Sequence, residues 1–284
     1  MPDKYEIKPL NLPGLADYHC HPDYSVDARG SIDEFCLAAI KRGLAEICFT
    51  THYDSNPRSE GDVNSIAVNG THLPATPDNL EAYVEAVKRA HEKYYPGGLA
   101  VKLGIEIGWY PECEEMVDNL KKRFHFDYVL CGIHELNHIC FCCTGCYEKC
   151  FRNFRNMNEM LETYFQEVIR AAQSNLFDTI AHLDYYKKYG EKYYGTGLRR
   201  AHQPFMVAVF EALKETRTAL EINTAAIRKG LSDYYPSVEI INTARKAGVE
   251  IAHLGSDAHA PGEIGYDFEA ASALLPPLLC ESED

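Results

Sequence analysis

Short apolar runs alternate with longer amphipathic stretches along this chain. The apolar runs have the length of buried strands, and they predict strands at residues 15–19, 46–50, 100–107, 128–133, 178–182, 219–222 and 250–255. The stretches between them have helical periodicity, and they predict helices at residues 32–42, 77–94, 112–123, 157–174, 198–215 and 237–247. Strands that alternate with helices predict an α/β fold with a parallel sheet.

The first two predicted helices carry boundary signals. Ser31 precedes the first, Glu34 stands three residues later as in a capping box, and Gly43 marks the end. The second helix has two equally good starts, Asp78 or Thr76, which is followed by a proline.

Composition narrows the class of protein. The chain has 284 residues, 46% of them hydrophobic, without a Gly/Ser linker, so we predict that residues 1–284 form one domain. The formal net charge of −14 disfavours nucleic-acid binding, which requires clustered Lys and Arg. We find neither a membrane-length apolar run nor a signal-peptide pattern at the N-terminus. We therefore expect no membrane partner and a cytoplasmic protein whose eleven cysteines are mostly reduced.

Polar side chains follow the C-terminal end of each predicted strand. In strand order these are His19, His21 and Asp27; His52; Glu106; His134; His182; Asn223 and Arg228; and Asp257 and His259. Seven strands are near the number of a closed (β/α) barrel, in which functional residues lie at this rim. The His-x-His and Asp-x-His pairs each place two side chains on one side of an extended segment.

This repeated use of His and acids favours a metal centre over ordinary polar loop residues. Nine of the candidates are His, Asp or Glu: His19, His21, Asp27, His52, Glu106, His134, His182, Asp257 and His259. One transition ion takes roughly four to six ligands, so the count indicates more than one ion. Imidazoles with carboxylates suit Zn, Fe or Mn, and a carboxylate such as Glu106 can bridge two ions. We predict two to three divalent transition metals.

The motifs around these residues resemble the PHP (polymerase and histidinol phosphatase) superfamily. They are the His-x-His start, the Asp eight residues after its first His, and the segments THYDS, GIEIG, GIH, AHLD and GSDAH. The resemblance extends from His19 to about Phe268. The stretch LEINTAAIRKGLSDYYPS is similar to a segment that carries a phosphate-binding Arg in PHP-type histidinol-phosphate phosphatases, here Arg228. In a second segment, AHLDYYKKYG, the family has a basic residue that helps to hold phosphate, and this chain has Lys187 and Lys188 instead of the expected Arg.

The resemblance implies a distorted (β/α)7 TIM-like barrel, the PHP fold, with a trinuclear centre. It implies three ligand sets: His19, His21, Glu106 and Asp257; Glu106, His134 and His182; and Asp27, His52 and His259.

The implied activity is that of a metal-dependent phosphomonoesterase acting on a small phosphorylated substrate. The leading hypothesis is a histidinol-phosphatase of histidine biosynthesis, in which a metal-bridging hydroxide attacks phosphorus. In this hypothesis Arg228, Glu106 and Asp257 are catalytic. The predicted substrate contacts are Arg228, Lys188, Lys187 and His138. Three acids could contact the substrate amine or instead orient a metal-binding His: Glu135, Asp54 and Asp184.

A Cys-rich loop at about residues 138–152 departs from the family pattern. It contains Cys140, Cys142, Cys143, Cys146 and Cys150. The C-x-x-C spacing of CTGC is one that can chelate Zn or an iron–sulfur cluster, but a loop of reduced thiols over the active site is an open alternative. Two other functions also stay open: a PHP phosphoesterase for a nucleotide or sugar phosphate, and a metal- or redox-binding protein that acts through these cysteines.

Overall fold

Parallel strands dominate the computed structural model, which describes residues 14–60 and 64–275. Within these residues the strands are β1 (Ala16–Cys20), β2 (Glu46–Phe49), β3 (His52–Tyr53), β4 (Ser65–Val68), β5 (Thr71–Pro74), β6 (Ala100–Gly108), β7 (Tyr128–Gly132), β8 (Glu135–Leu136), β9 (Ile139–Cys140), β10 (Thr179–Ile180), β11 (Ala219–Asn223) and β12 (Ile251–Gly255). All seven predicted strands are confirmed, with ends that differ by up to two residues.

The seven predicted strands form a nearly closed parallel barrel. Their order is β1-β2-β6-β7-β10-β11-β12, and each neighbouring pair is parallel. The ring approaches closure just beyond β1 and β12, where Cys20 bridges Ala258 and the His21 N–H donates to the Ala258 carbonyl at 2.8 Å. The predicted distorted (β/α)7 barrel is thereby confirmed, and the C-terminal ends of its strands meet at one rim.

Helices cover the outside of the barrel and bury their apolar faces against it. Among the described residues they are α1 (Ile32–Arg42), α2 (Pro77–Tyr94), α3 (Glu114–Phe124), α4 (Tyr147–Arg152), α5 (Met157–Gln173), α6 (Lys187–Tyr194), α7 (Met206–Thr216), α8 (Ala225–Arg228), α9 (Val238–Ala247) and α10 (Phe268–Ala271). The predicted capping box of α1 is present, and Gly43 ends the helix in the left-handed conformation. Thr76, rather than Asp78, caps α2 by accepting the Asn79 N–H.

Two features of the helices differ from the prediction. The helix predicted from residue 198 begins only at Met206, because Pro204 has no N–H to continue a helical ladder; short 3₁₀ turns precede it. The short helices α4, α6, α8 and α10 were not predicted, since four to eight residues give too little periodicity to recognise. The hairpins β4–β5 and β8–β9 were missed for the same reason.

A small apolar cluster fills the barrel below the rim. It consists of Cys48, Tyr128, Leu130 and Ala181, with Tyr18 packed against it. These side chains come from strands around the ring, so they occupy the barrel interior beneath the polar rim. No helix within residues 14–60 and 64–275 is long and apolar enough to cross a bilayer. The N-terminal stretch considered for a signal peptide lies mostly outside these residues.

Candidate metal centre

One buried carboxylate, that of Glu106, lies at the centre of the barrel mouth. Glu106 is near the end of β6, and the short strand β3 pairs with β6 so that His52 stands opposite it. Five imidazoles approach the two Glu106 oxygens at 2.8–3.5 Å: those of His19, His21, His52, His134 and His182. Five nitrogen donors around one carboxylate form a concentrated set of metal-type ligands.

A second acidic group extends this cluster toward solvent. The Asp257 carboxylate is 3.4 Å from His21 Nε2 and 3.4 Å from His259 Nδ1. At the exposed rim, Asp27 lies 3.3 Å from His259 and 3.8 Å from His52. All nine residues predicted from the sequence as metal ligands therefore meet in one basin.

The ligand atoms fall into four overlapping groups, each with its members within 4.8 Å of one another. The groups are His19, His21 and Asp257; His19, Glu106 and His182; His21, His52 and His259; and His52, Asp54 and His134. The first is contained in the first implied ligand set. The others regroup the implied sets and add Asp54, whose carboxylate also lies 3.3 Å from His134 Nδ1.

Three of the imidazoles are oriented by an acceptor at their Nδ1 atom. His19 Nδ1 is 2.9 Å from Glu221, and His134 Nδ1 is 3.3 Å from Asp54. His259 Nδ1 is 3.0 Å from the Asp257 carbonyl oxygen. Since these acceptors take the Nδ1 proton, they leave the Nε2 lone pair of each ring directed into the basin, as metal coordination requires.

Glu221 is one functional residue that the sequence interpretation missed. It is buried in β11, and its carboxylate also accepts the His182 N–H at 2.8 Å and the Asn223 side-chain amide at 3.0 Å. The available signal was the segment ALEIN, where a glutamate interrupts an apolar strand. Glutamate is almost never fully buried without partners, so its position indicated a buried polar network.

We expect Glu221→Gln to weaken metal binding through His19 by about 10–100-fold, the usual effect of losing such a partner. Gln keeps the shape of Glu but cannot accept through its amide nitrogen. Activity at limiting metal should fall and recover when metal is in excess. Measurement of activity against metal concentration checks this, with the exposed Glu215→Gln of α7 as the control. Loss of activity that excess metal does not restore would contradict the positioning role.

Asp17 joins the first and last barrel strands beneath the basin. Its buried carboxylate accepts the N–H groups of Ser256 and Gly265, each at 2.9 Å. The segment that contains Asp257 and His259 is therefore fixed to β1, which presents His19.

Two groups of the basin, Glu106 and His21, are held in the protonation state that a metal ligand has. Burial by itself raises the pKa of Glu106, but the imidazoles of His19, His52 and His134 hold it well below its usual value. Burial and the neighbouring imidazoles of His52 and His259 lower the pKa of His21 well below its ordinary value. The basin thus contains an ionised carboxylate beside a neutral imidazole with an available lone pair.

Unpartnered buried atoms give the direct test of fit for metal ions. His19 Nε2, His21 Nε2 and Glu106 Oε2 are buried within the basin and make no hydrogen bond. Buried polar atoms are normally satisfied, so a convergent group of unsatisfied nitrogen and oxygen donors indicates that cations complete it. The donor set fits a centre of divalent transition ions.

The backbone around the basin is adapted to close packing. A Cβ at Gly132 would stand 2.8 Å from Glu106 Oε1, and one at Gly255 would stand 2.6 Å from His19 Cβ. His182 and Asp257 have positive φ angles of 32° and 51°. Left-handed conformations outside glycine are costly and concentrate at functional sites.

A cavity of about 640 Å³ opens above the basin. Its lining includes three cationic side chains, those of Lys188, Arg228 and Lys229, together with Tyr185, which stacks on His182 at a centroid distance of 4.1 Å. A cavity of this size suits a small molecule, and its cations suit an anionic group.

Two predicted substrate residues have other positions. Lys187 begins α6 and points to the buried carboxylate of Asp184, so neither residue belongs to the described cavity lining. His138 lies in the turn of the β8–β9 hairpin, where its Nδ1 is 3.0 Å from the Asn56 amide, and it too is absent from that lining. Lys188, one residue beyond Lys187, is the lysine that faces the cavity.

Arg228 lines the cavity and also supports the metal-type ligands. Its guanidinium donates to the carbonyl oxygens of Ser256 at 2.5 Å and Asp257 at 2.7 Å, and it lies 3.4 Å from Glu263. These contacts fix the guanidinium beside the Asp257 segment at the edge of the basin.

Comparison with known proteins assigns the family. The family described as PHP domain matches residues 17–225. The chain belongs to the PHP family. A probable histidinol-phosphatase of Deinococcus radiodurans is 31% identical over 92% of each chain. The recognition of a PHP protein of the histidinol-phosphatase type is confirmed.

Two solved structures share the PHP fold of this chain. One is a putative histidinol phosphatase from Listeria monocytogenes, with a TM-score of 0.76 and 17% identity over 90% of this chain and 99% of that one. The other is histidinol phosphate phosphatase from Lactococcus lactis, complexed with zinc, L-histidinol and phosphate, with a TM-score of 0.73 and 20% identity over 93% of both chains.

Proposed function

We propose that this protein is a metal-dependent histidinol-phosphatase, which hydrolyses L-histidinol phosphate to L-histidinol and phosphate. The observation that carries the proposal is the set of five imidazoles around buried Glu106, open to a cavity that contains cationic side chains. Relatives that match about nine-tenths of the chain are named as histidinol-phosphatases or probable histidinol-phosphatases. These relatives favour histidinol phosphate over a nucleotide or sugar phosphate.

The proposed cofactors are two to three divalent ions, of Zn, Fe or Mn, held by the nine ligands with Asp54 close by. When bound, such ions lower the pKa of coordinated water and neutralise phosphate charge, which allows direct hydrolysis of a phosphomonoester. Glu106 is the proposed bridging ligand, since both of its oxygens face imidazoles. Asp257 is the proposed ligand that connects the inner imidazoles to those at the rim.

The chain's own cations are proposed to hold the phosphate. Arg228, fixed by two carbonyl oxygens, presents a guanidinium whose orientation is set before substrate binds. Lys188 and Lys229 add positive charge to the same cavity. A fixed cation costs little reorganisation as charge develops on the transferring phosphoryl group.

An acidic side of the cavity is proposed to receive the amine of histidinol. Glu135 lines the cavity, and the Asn56 side-chain amide, 2.6 Å away, and the Ser59 hydroxyl donate to its carboxylate. Asp54 lines the same cavity beside His134. A carboxylate held in this way complements a cationic amine, a group that sugar phosphates without amino substituents lack.

A substrate panel tests the proposal. Phosphate release from L-histidinol phosphate should exceed that from nucleotides and sugar phosphates by at least about 100-fold in kcat/KM, because buried polar groups left unpaired by the wrong substrate cost binding energy. Removal of metal by a chelator should abolish release, and added Zn, Mn or Fe should restore it. Equal or faster hydrolysis of a nucleotide or sugar phosphate would favour the alternative substrate class.

A further inference from the structure

Three thiols converge beside the cavity, outside the barrel mouth. The Sγ atoms of Cys140, Cys143 and Cys146 all lie within 4.8 Å of one another. Cys140 is buried, and the other two are half-buried. All ten cysteines among the described residues are free thiols, so this group is not consumed by disulfide bonds within that part of the chain.

The local fold brings these thiols together over only seven residues. The β8–β9 hairpin ends at Cys140, and the Phe141 N–H that follows donates to the His134 carbonyl at 3.1 Å. A tight turn then folds the chain back, since the Cys143 carbonyl accepts the N–H groups of Cys146 and Tyr147 at 3.3 and 3.2 Å. Cys146 directly precedes α4, and its Sγ lies within 4.8 Å of the Cys143 Sγ.

The spacing of the sulfur atoms matches a single thiophilic ion. Zinc–thiolate bonds of about 2.3 Å in a tetrahedron place the sulfur atoms about 3.8 Å apart. The three sulfur atoms lie within 4.8 Å of one another, close enough for one such ion after small side-chain adjustments, whereas the ligands of a multi-iron cluster must enclose a larger body. A disulfide needs sulfur atoms at about 2.05 Å, which is closer than any pair of thiols described here.

We propose that Cys140, Cys143 and Cys146 bind one Zn²⁺, at a site separate from the barrel centre, with Cys142 as the fourth ligand. The Cys142 Sγ lies 3.4 Å from the Cys140 Sγ but outside the group of three, so its side chain would turn toward Cys143 and Cys146 when the ion binds. Four thiolates from one short segment are a donor set that zinc prefers for structural sites.

The ion would fix one wall of the substrate cavity. Cys140, Cys142 and Cys143 line that cavity. Cys146 is followed by helix α4, whose first residue, Tyr147, stacks on Tyr189 of α6 at a centroid distance of 4.7 Å. Lys188, the cavity lysine, is the neighbour of Tyr189 in the same helix. An ion bound by these thiols would therefore help to hold Lys188, a proposed phosphate contact, in position.

Cobalt titration of the purified 284-residue protein, after its metal has been removed with a chelator, tests the site. Barrel ligands are imidazoles and carboxylates, so a thiolate-to-cobalt charge-transfer band in the near ultraviolet reports the thiol site alone. The unmodified protein should show this band and bind one more Co²⁺ per chain than Cys143→Ser/Cys146→Ser, which should lose the band. Cys150→Ala should retain it, since the Cys150 thiol lies outside the group and contacts the Leu136 carbonyl.

Absence of the band from the unmodified protein, or its persistence in the double variant, would overturn the proposal. Two further measurements keep the test decisive if the double variant misfolds. One is the band of the single variant Cys143→Ser, which changes a half-buried side chain, and the other is thiol labelling of the unmodified protein. Added Zn²⁺ should protect these cysteines from labelling, and unchanged labelling would also overturn the site. The Cys143→Ser and Cys143→Ser/Cys146→Ser variants should also have a several-fold higher KM for the phosphate ester with unchanged kcat. This kinetic effect rests on the proposed phosphatase activity, whereas the cobalt band does not.

Discussion

Replacing Glu106 by Gln is expected to remove metal from the barrel centre and to lower kcat by about 10²–10⁴-fold. The carboxylate is fully buried and within 3.5 Å of five imidazoles, so its negative charge is what holds several cations close together. Gln preserves the shape but supplies a neutral oxygen and an NH₂ group, which cannot bridge two ions. Metal content by mass spectrometry and single-turnover phosphate release measure the two effects.

A matched substitution separates this effect from general damage. Glu250 precedes β12 and is exposed at the opposite end of the barrel, so Glu250→Gln should retain both metal and activity. Full metal content together with full activity in Glu106→Gln would contradict the bridging role. Loss of only one ion with most of the activity retained would show that Glu106 serves as a terminal ligand.

Replacing Arg228 by Ala is expected to lower kcat/KM by about 10²–10³-fold, mainly through a higher KM, because charge-assisted hydrogen bonds to phosphate are worth about 1.5–3 kcal/mol each. Metal content should stay intact, since the Asp257 carboxylate keeps its contact with the His21 imidazole. Arg228→Lys should recover part of the loss, because it restores charge without the planar fork. The inhibition constant of inorganic phosphate should weaken in parallel with KM.

Arg245→Ala is the control for this substitution. Arg245 of α9, like Arg228, donates to a main-chain carbonyl, here that of Leu274, but it is exposed and is not part of the cavity lining. The contacts of Arg228 with the Ser256 and Asp257 carbonyl oxygens suggest a different role, in which Arg228 only holds the Asp257 segment in place and does not bind phosphate. If Arg228 only positions the Asp257 segment, the Ala variant should lose metal while phosphate inhibition of the metal-loaded remainder stays normal. That result would remove the phosphate-binding role.

Much of the candidate centre could be predicted because barrel geometry is simple. Parallel strands in a barrel end at one rim, so His19, Glu106 and Asp257 had to approach one another once their strands were recognised. The same rule did not identify Glu221, which lies within its strand instead of at the end, nor Lys187, whose direction depends on a short helix with little periodicity. Strand counting was therefore reliable, whereas the direction of individual side chains near helix starts was not.

The sequence by itself determined the seven barrel strands, the nine basin residues and the resemblance to PHP phosphatases, because apolar runs mark each strand and the His and acid motifs follow the strand ends. Only the tertiary structure decided which partner orients each imidazole, as with His19 and Glu221, which are 202 residues apart. It also decided that Lys188 faces the cavity while Lys187 faces Asp184, and that three cysteines of one loop converge. Hydrogen-bond partners and side-chain directions arise from packing between distant segments, and local sequence patterns do not encode that packing.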